Sequence, residues 1–329
     1  MRLIQFVDAR GARWVAAIEG TSAPSVVLGA GSVRELALEA YRSKRSLEEN
    51  VRSRGLGDAV DYDQLIAEKR ILVPLDHPEP SRVIVALTGL SHLGSAQSRD
   101  AMHAKLQSDD LTDSMKMFKL GVEGGKPKAG AIGVQPEWAY KGDGSWLVAP
   151  EQPIELPGYA RDGGEEGEVA GLYVIGDNGE VLRVGFALGN EYSDHVMERQ
   201  NYLYLAHSKL RQSSFGPEVL IGTLPHEVKG TVRILRDGKD AWRGELLSGE
   251  ENMCHSIANL EQHHFKYAGF RRPGDVHIYY YGASALSTAS GFETKPGDVF
   301  EVEAPIFGRA LRNSFVRGRP DEILTVRQL

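Results

Sequence analysis

Short apolar runs, most of them alternating with polar residues, recur along the chain between glycines and prolines. This period of two predicts β-strands, at 3–7, 13–19, 25–30, 82–89, 171–176, 181–189, 230–238, 275–282 and 298–305. Helical spacing is rarer and predicts helices over 32–53, 61–70, 97–118, 195–206 and 251–267. Asp-Asn-Gly (177–179) and Asp-Gly (237–238) each separate two strands, which predicts two β-hairpins.

The order of these elements favours an α+β fold that is mostly β. Strands follow one another without βαβ alternation, which disfavours a doubly wound nucleotide-binding fold. The stretch GVEGGKPKAG (121–130) lacks the terminal GK[ST] of a P-loop. Because strands become dense after ILVPLDHPEP (71–80), we predict a small N-terminal α+β domain over 1–75 and a catalytic domain over 76–329.

Composition narrows the function classes. A net charge of −7 argues against a general nucleic-acid binder, which normally carries a basic surface. The start of the chain has no apolar signal-peptide core, and no run of about 18 apolar residues predicts a membrane span. The single cysteine, Cys254, excludes an internal disulfide and a cysteine-rich metal site. We therefore expect a cytoplasmic protein with no nucleic-acid or membrane partner.

The stretch GEEGEVAG (164–171) crowds three carboxylates, Glu165, Glu166 and Glu168, in front of an apolar strand. Glu166 and Glu168 are two residues apart, so in extended chain they point to the same side. Two interpretations stay open from this spacing. The segment is either a solvated acidic turn or part of a site for a hard cation such as Mg²⁺, which prefers carboxylate oxygens.

A second stretch, residues 185–217, favours the cation site. A strand ends at Gly189-Asn190, Glu191 follows the turn, and a helical segment leads to Lys209 and then to Gly216-Pro217. Across a hairpin, Glu191 lies at a plausible distance to complete a metal site with Glu166 and Glu168. Lys209 is expected to face the same pocket, although a lysine in this position is also compatible with a surface role.

This combination of E-x-E, an Asn-acid turn, a lysine and Gly-Pro resembles the fumarylacetoacetate hydrolase superfamily, over residues 80–317. Glu166 and Glu168 match the E-x-E. Glu191 stands where that pattern has aspartate, and Ser193 matches its serine. The arginine that follows in the pattern is absent here, and His195 lies two residues after Ser193. The resemblance implies a mixed β-sandwich or roll as the catalytic body, a homodimer, and Mg²⁺ or Mn²⁺ held by Glu166, Glu168 and Glu191.

Other segments carry the same resemblance. RVIVALTGLSHLGSAQSRD (82–100) places His92 at the superfamily's catalytic histidine. Ser95 stands where the superfamily pattern has a glutamate after this histidine, and Asp100 is the acid that could substitute for it. QPEWAYKGDGSW (135–146) places Lys141 in a substrate loop. The site roles that follow are Lys209 and His92 for catalysis, Glu165 facing solvent, and, for substrate binding, Lys141, Ser193, Ser284 and Ser287.

Within the superfamily, the PEWAYKG and NYLYLAHSK segments are most similar to the sugar-acid branch. That resemblance implies a metal-dependent dehydratase of a 2-keto-3-deoxy sugar acid, a pentonate, acting through a metal-stabilised enolate. One alternative is a hydrolase that cleaves the C–C bond of a 2,4-diketo acid. Another is a non-catalytic sugar-acid binding protein with a degenerate site.

A histidine cluster lies apart from this pattern, at His255, His263 and His264. Their spacing does not give the i, i+4 pair of a helical H-E-x-x-H zinc site. We therefore expect these side chains on a helix surface, near a subunit interface.

Overall fold

The computed structural model of the chain describes residues 1–94 and 111–329. Its strands are β1 Arg2–Val7, β2 Arg13–Ile18, β3 Ser25–Val27, β4 Leu56–Ala59, β5 Ile71–Leu72, β6 Val83–Leu87, β7 Ala139–Asp143, β8 Leu147–Val148, β9 Ile154–Leu156, β10 Gly167–Ile175, β11 Val181–Asn190, β12 Ser213–Phe215, β13 Val219–Leu220, β14 Val228–Arg236, β15 Lys239–Ser248, β16 Val276–Tyr280, β17 Val299–Glu303 and β18 Leu311–Arg317. Its α-helices are α1 Val33–Arg42, α2 Leu47–Arg54, α3 Tyr62–Ala67, α4 Asp113–Gly124, α5 His195–Gln200, α6 Leu205–Lys209 and α7 Ile257–Phe265.

Two sheets organise the described residues. The larger runs in the order β4-β3-β2-β1-β13-β11-β10-β16-β6-β7, and the smaller in the order β15-β14-β17-β18-β9. The mostly-β, α+β class is therefore confirmed. The N-terminal strands extend the larger sheet, because β1 pairs antiparallel with β13 and places Arg2 opposite Leu220. The division into domains at residue 75 stays a prediction.

Both hairpins expected from the turn signals are present. In the first, β10 and β11 pair antiparallel from Gly167 opposite Asn190 to Ile175 opposite Val181. In the second, β14 and β15 pair across the Asp-Gly turn, from Val228 opposite Ser248 to Arg236 opposite Lys239. The sequence therefore located the first hairpin, although β10 begins at Gly167, four residues before its predicted start.

Strands β10 and β11 occupy the middle of the molecule. All nine residues of β10 are buried. On one face Leu172 joins a core with Val33 and Leu36 of α1, and on the other Val169 joins a core with Val232 of the smaller sheet. Burial on both faces explains why this segment reads as a continuous apolar run. It also buries the side chains that lie at the end of the hairpin.

The predicted helices are broken more often than their periodicity suggested. The helix expected over 32–53 divides at Ser46, which caps α2 in a capping box with Glu49. The helix expected over 195–206 divides into α5 and α6, with a 3₁₀ turn at Tyr202–Tyr204 between them. The helix expected over 251–267 is limited to α7. Of the helix expected over 97–118, residues 97–110 lie outside the described residues, and α4 continues past its predicted end.

The surface location expected for the histidine cluster is wrong for His255 and His264, which are buried. The ring of His264 stacks on Tyr279, and its Nε2 lies 2.9 Å from Nδ1 of His277. Because α7 presses this face into the core, burial lowers the pKa of His264 well below its ordinary value.

Among the described helices, none combines the length and apolarity needed to cross a membrane.

Candidate active site

Three carboxylates meet at the open end of the β10–β11 hairpin. Glu168 is the second residue of β10 and lies opposite Gly189, while Glu191 directly follows β11. The Glu191 backbone N–H donates to the Glu166 carbonyl at 2.9 Å, which joins the two chain segments beyond the strands. Each of Glu166, Glu168 and Glu191 offers one carboxylate oxygen, and these three oxygens lie within 4.8 Å of one another. All three side chains are buried.

This cluster has the donor chemistry of a divalent-cation site. Burial, together with the charges of Glu191 and Glu166, raises the pKa of Glu168 well above its ordinary value. The Glu168 Oε2 atom accepts one backbone hydrogen bond, from Gly282 at 2.7 Å. Three buried carboxylates repel one another unless positive charge lies between them, and carboxylate oxygens suit hard cations. The residues therefore fit a divalent metal ion.

Lys209, the last residue of α6, reaches this cluster. Its Nζ contacts Glu166 Oε1, Glu191 Oε2 at 2.9 Å and Ser193 Oγ at 3.1 Å. Burial lowers the pKa of Lys209, but Glu166 and Glu191 more than offset it, so the pKa lies well above its ordinary value. Lys209 therefore lies against the carboxylates, and its catalytic role stays a prediction.

His195 also contacts the cluster. Its Nε2 lies 3.1 Å from Glu166 Oε1 and its Nδ1 lies 3.8 Å from Asp162 Oδ2. Burial lowers the pKa of His195, but Asp162 and Glu166 raise it to about 9. Glu166 Oε1 thus faces two cationic groups, His195 and Lys209.

An acid that the sequence reasoning missed, Glu137, is influenced by the charges of Lys209 and Glu166 in this cluster. Its Oε2 accepts a hydrogen bond from Tyr202 Oη at 2.9 Å, and its side chain lies against Gly89, where a Cβ would overlap it. Burial raises the pKa of Glu137, although Tyr202 and Lys209 oppose the shift. Glu137 lies four residues before Lys141 next to β7, and this strand spacing could have placed both on one side.

No family model and no curated protein matches the chain. Solved structures do match. A 2-keto-3-deoxy-D-arabinonate dehydratase complexed with magnesium and 2,5-dioxopentanoate aligns with a TM-score of 0.71 at 20% identity, over 97% of this chain and 100% of its own. The fumarylacetoacetate hydrolase of Exiguobacterium antarcticum aligns with a TM-score of 0.62 at 16% identity, over the same shares. The chain has the fold of the fumarylacetoacetate hydrolase superfamily.

Structures with this superfamily fold serve more than one reaction. A 5-carboxymethyl-2-hydroxymuconate delta-isomerase from Mycobacterium smegmatis also aligns, with a TM-score of 0.58 at 16% identity, over 97% of this chain and 100% of its own. The fold is therefore shared with a dehydratase, a hydrolase and an isomerase.

Lys141, expected to hold the substrate in the superfamily pattern, has no donor left for it. Its side chain is fully buried, and Nζ contacts Glu191 Oε1 at 2.6 Å, the Tyr192 carbonyl at 2.8 Å and the Lys209 carbonyl at 2.9 Å. A lysine ammonium has three donors, and all three are used. In the structure Lys141 therefore contacts protein groups, and its substrate contact stays a prediction.

The serines expected to bind substrate also contact protein groups. Ser193 Oγ lies 3.2 Å from both carboxylate oxygens of Glu191. The Ser287 N–H and hydroxyl donate to Glu165 at 2.9 Å and 2.7 Å. Glu165 is thus buried, and the prediction that it faces solvent is wrong. Ser284 contacts the backbone of Glu245 and Leu247, and no described hydrogen bond joins it to the carboxylates.

His92, expected as a catalytic group, contacts two serines. Its Nδ1 lies 2.9 Å from Ser91 Oγ and its Nε2 lies 3.0 Å from Ser248 Oγ. Burial lowers the pKa of His92 to about 4, so the ring is neutral at physiological pH. Asp100, the substitute acid, lies outside the described residues. Among the described residues, no hydrogen bond joins His92 directly to the three carboxylates, and its catalytic role stays a prediction.

The raised pKa of Glu168 predicts how stability depends on pH when metal is removed. Between the ordinary value of 4.5 and the raised folded-state pKa, the folded protein binds more protons than the unfolded chain, so the free energy of unfolding falls as pH rises. Glu168→Gln removes this proton. In EDTA we expect the variant to gain stability relative to the parent protein as pH increases.

Urea unfolding at several pH values above 4.5, in EDTA, measures this difference. Glu155→Gln, at an exposed position of β9, is the matched control and should follow the parent protein at every pH. If Glu168→Gln also runs parallel to the parent, the buried charge of Glu168 is not what limits stability.

Proposed function

We propose that this protein is a Mg²⁺-dependent dehydratase of a 2-keto-3-deoxy sugar acid, a pentonate. The observation that carries the proposal is the buried group of Glu166, Glu168 and Glu191 with the Lys209 ammonium against it. The fold shared with a dehydratase complexed with magnesium and 2,5-dioxopentanoate supports the same substrate class. Mn²⁺ would satisfy the same oxygen ligands.

Glu166, Glu168 and Glu191 would hold the metal ion. Bound there, Mg²⁺ would polarise the 2-keto group and stabilise the negative charge that develops when C3 loses a proton. Lys209 would take that proton at Nζ. Once the charges of Glu166 and Glu191 are neutralised, Lys209 loses the interactions that raise its pKa and releases its own proton more readily.

Glu137 is the group that we assign to the leaving hydroxyl. Burial favours its protonated form, and Tyr202 fixes the orientation of its carboxyl group. Breaking the C3–H and C4–O bonds forms a C3–C4 double bond, and the hydroxyl leaves as water with the proton from Glu137. In a pentonate this product still carries a hydroxyl on C5. Loss of a proton from C5 and gain of one at C3 convert the C3–C4 double bond into a C4–C5 enol, which gains a proton at C4 and loses its hydroxyl proton to give 2,5-dioxopentanoate, so atoms balance with no co-reactant.

The direct test is turnover of both C4 epimers of a 2-keto-3-deoxypentonate by the purified protein, with Mg²⁺ and with EDTA. Formation of 2,5-dioxopentanoate that stops in EDTA supports the proposal. Cleavage of a 2,4-diketo acid instead would support the hydrolase. That reaction needs an acid beside the histidine, whereas both ring nitrogens of His92 lie against serine hydroxyls. Binding of pyruvate without turnover of any of these compounds would indicate a binding protein. The homodimer and the cytoplasmic location stay predictions.

Replacing the proposed acid should separate chemistry from binding. We expect Glu137→Gln to lower kcat by about 10²-fold, the lower range for a general acid, with a smaller change in KM. Tyr202→Phe should lower kcat less, because it removes only the hydrogen bond that orients Glu137. Steady-state kinetics in Mg²⁺ measure both variants, with the exposed Glu123→Gln as control. An unchanged kcat in Glu137→Gln would remove Glu137 from the mechanism.

A further inference from the structure

His195 is held in one place by the start of α5. Asp194 caps this helix, and its Oδ1 accepts a hydrogen bond from the Met197 N–H at 2.9 Å. The other oxygen, Oδ2, accepts from the Arg161 N–H at 2.9 Å and from the buried Arg211 guanidinium at 3.0 Å. Because both oxygens of Asp194 are engaged, the first residue of the helix has little freedom to move.

The residue that precedes the acidic cluster packs against the imidazole ring of His195. Gly164 exchanges two backbone hydrogen bonds with Ser193, at 2.9 Å and 3.0 Å, and thereby lies directly against His195. A Cβ at position 164 would overlap with His195 Nδ1. Glycine is therefore required there for the imidazole to reach Glu166, two residues farther along.

The two oxygens of Glu166 have different surroundings. Oε1 contacts both the Lys209 ammonium and His195 Nε2. In the described part of the chain, no donor is recorded for Oε2. A carboxylate that binds metal is usually oriented by hydrogen bonds to its other atoms, and such bonds decide which oxygen is presented.

We propose that His195 is a positioning residue that fixes the Glu166 carboxylate, so that Oε1 is engaged by the protein and Oε2 is presented to the metal ion. This inference rests on the proposed metal site. It assigns to His195 a role in metal affinity that does not require contact with the substrate. Loss of the imidazole should free Glu166 to rotate and weaken metal binding before any chemistry occurs.

Two amide substitutions test this geometry, because their side-chain N–H donors lie at different distances from the backbone. The amide nitrogen of His195→Gln lies near the position of Nε2, whereas that of His195→Asn lies near Nδ1 and does not reach Glu166. We expect Asn to weaken Mn²⁺ binding by about 10–100-fold, as for other groups that orient metal ligands, and Gln to restore most of it. Calorimetric titration of the substrate-free protein with Mn²⁺ measures the affinity, and the Mn²⁺ EPR spectrum reports the ligand geometry.

Thermal unfolding in EDTA shows whether each variant folds. If His195→Asn does not fold, His195→Leu, which keeps bulk and removes the donor, replaces it. Equal affinity for Mn²⁺ in the parent, Gln and Asn proteins would overturn the positioning role while leaving the metal site intact, and equal weakening of both variants would overturn it as well. A parent protein that binds no Mn²⁺ would instead overturn the metal site and this inference together.

Discussion

Lys209→Met is expected to lower kcat by about 10²–10⁴-fold, the contribution typical of a general base, while metal binding survives. Methionine keeps an unbranched side chain up to the position of Cε and lacks the proton-accepting nitrogen. It also removes a positive charge that contacts Glu166 and Glu191, so Mn²⁺ should bind at least as tightly as in the parent protein. Loss of turnover with retained metal is the signature of a proton-transfer role.

Lys209→Arg is the control that separates charge from proton transfer. Arginine supplies a permanent cation and does not act as a base near neutral pH. If Lys209 only neutralises the carboxylates, the Arg variant should keep its activity, which would contradict the proposed role. Exchange of the C3 protons of 2-oxobutyrate with deuterated water, followed by NMR, isolates this step from loss of the hydroxyl. We expect exchange with the parent protein and none with either variant.

The grouping of Glu166, Glu168 and Glu191 could be predicted from the sequence because its geometry is local to one hairpin. Two residues of separation place Glu166 and Glu168 on one side, and a turn signal fixes which strands pair, so Glu191 follows. Glu165 could not be placed in this way. Its partner, Ser287, lies 122 residues farther along the chain, and no local pattern reports a contact at that distance.

Glycines around the acidic cluster have structural roles that the sequence pattern did not reveal. Gly164 makes room for His195, and Gly167 lies against Val232, where a Cβ would overlap its side chain. Gly282 has φ +98°, in the region that favours glycine, and directs its N–H at Glu168. Turn residues and packing residues look alike in a sequence, so glycines that admit a side chain from a distant segment cannot be recognised by spacing alone.

The two lysines of the site show the same limit. Both matched positions of the superfamily pattern, and both were expected to act on the substrate or its protons. In the structure, the Lys209 ammonium contacts carboxylates that a metal ion would also bind. By contrast, two of the three donors of Lys141 bind backbone carbonyls. The difference lies in the number of acceptors that surround each ammonium, which depends on the tertiary fold.

This difference makes Lys141 the site where we expect the largest loss of stability. Lys141→Met leaves Glu191 without its 2.6 Å partner at a position where both side chains have no solvent exposure, and it leaves the carbonyls of Tyr192 and Lys209 unpaired. Breaking a buried ion pair from one side costs about 3–5 kcal/mol. We therefore expect the free energy of unfolding to fall by that amount, measured by urea denaturation in EDTA.

Lys116→Met is the matched control, because Lys116 pairs with Asp113 at 3.0 Å on the exposed surface of α4. An exposed pair contributes about 0–1 kcal/mol, so this variant should unfold at nearly the parent urea concentration. Adding Glu191→Gln to Lys141→Met should recover part of the loss, since the buried charge that lost its Lys141 partner is then removed. If Lys141→Met costs no more than Lys116→Met, Glu191 does not depend on Lys141, and a substrate-facing role for this lysine must be reconsidered.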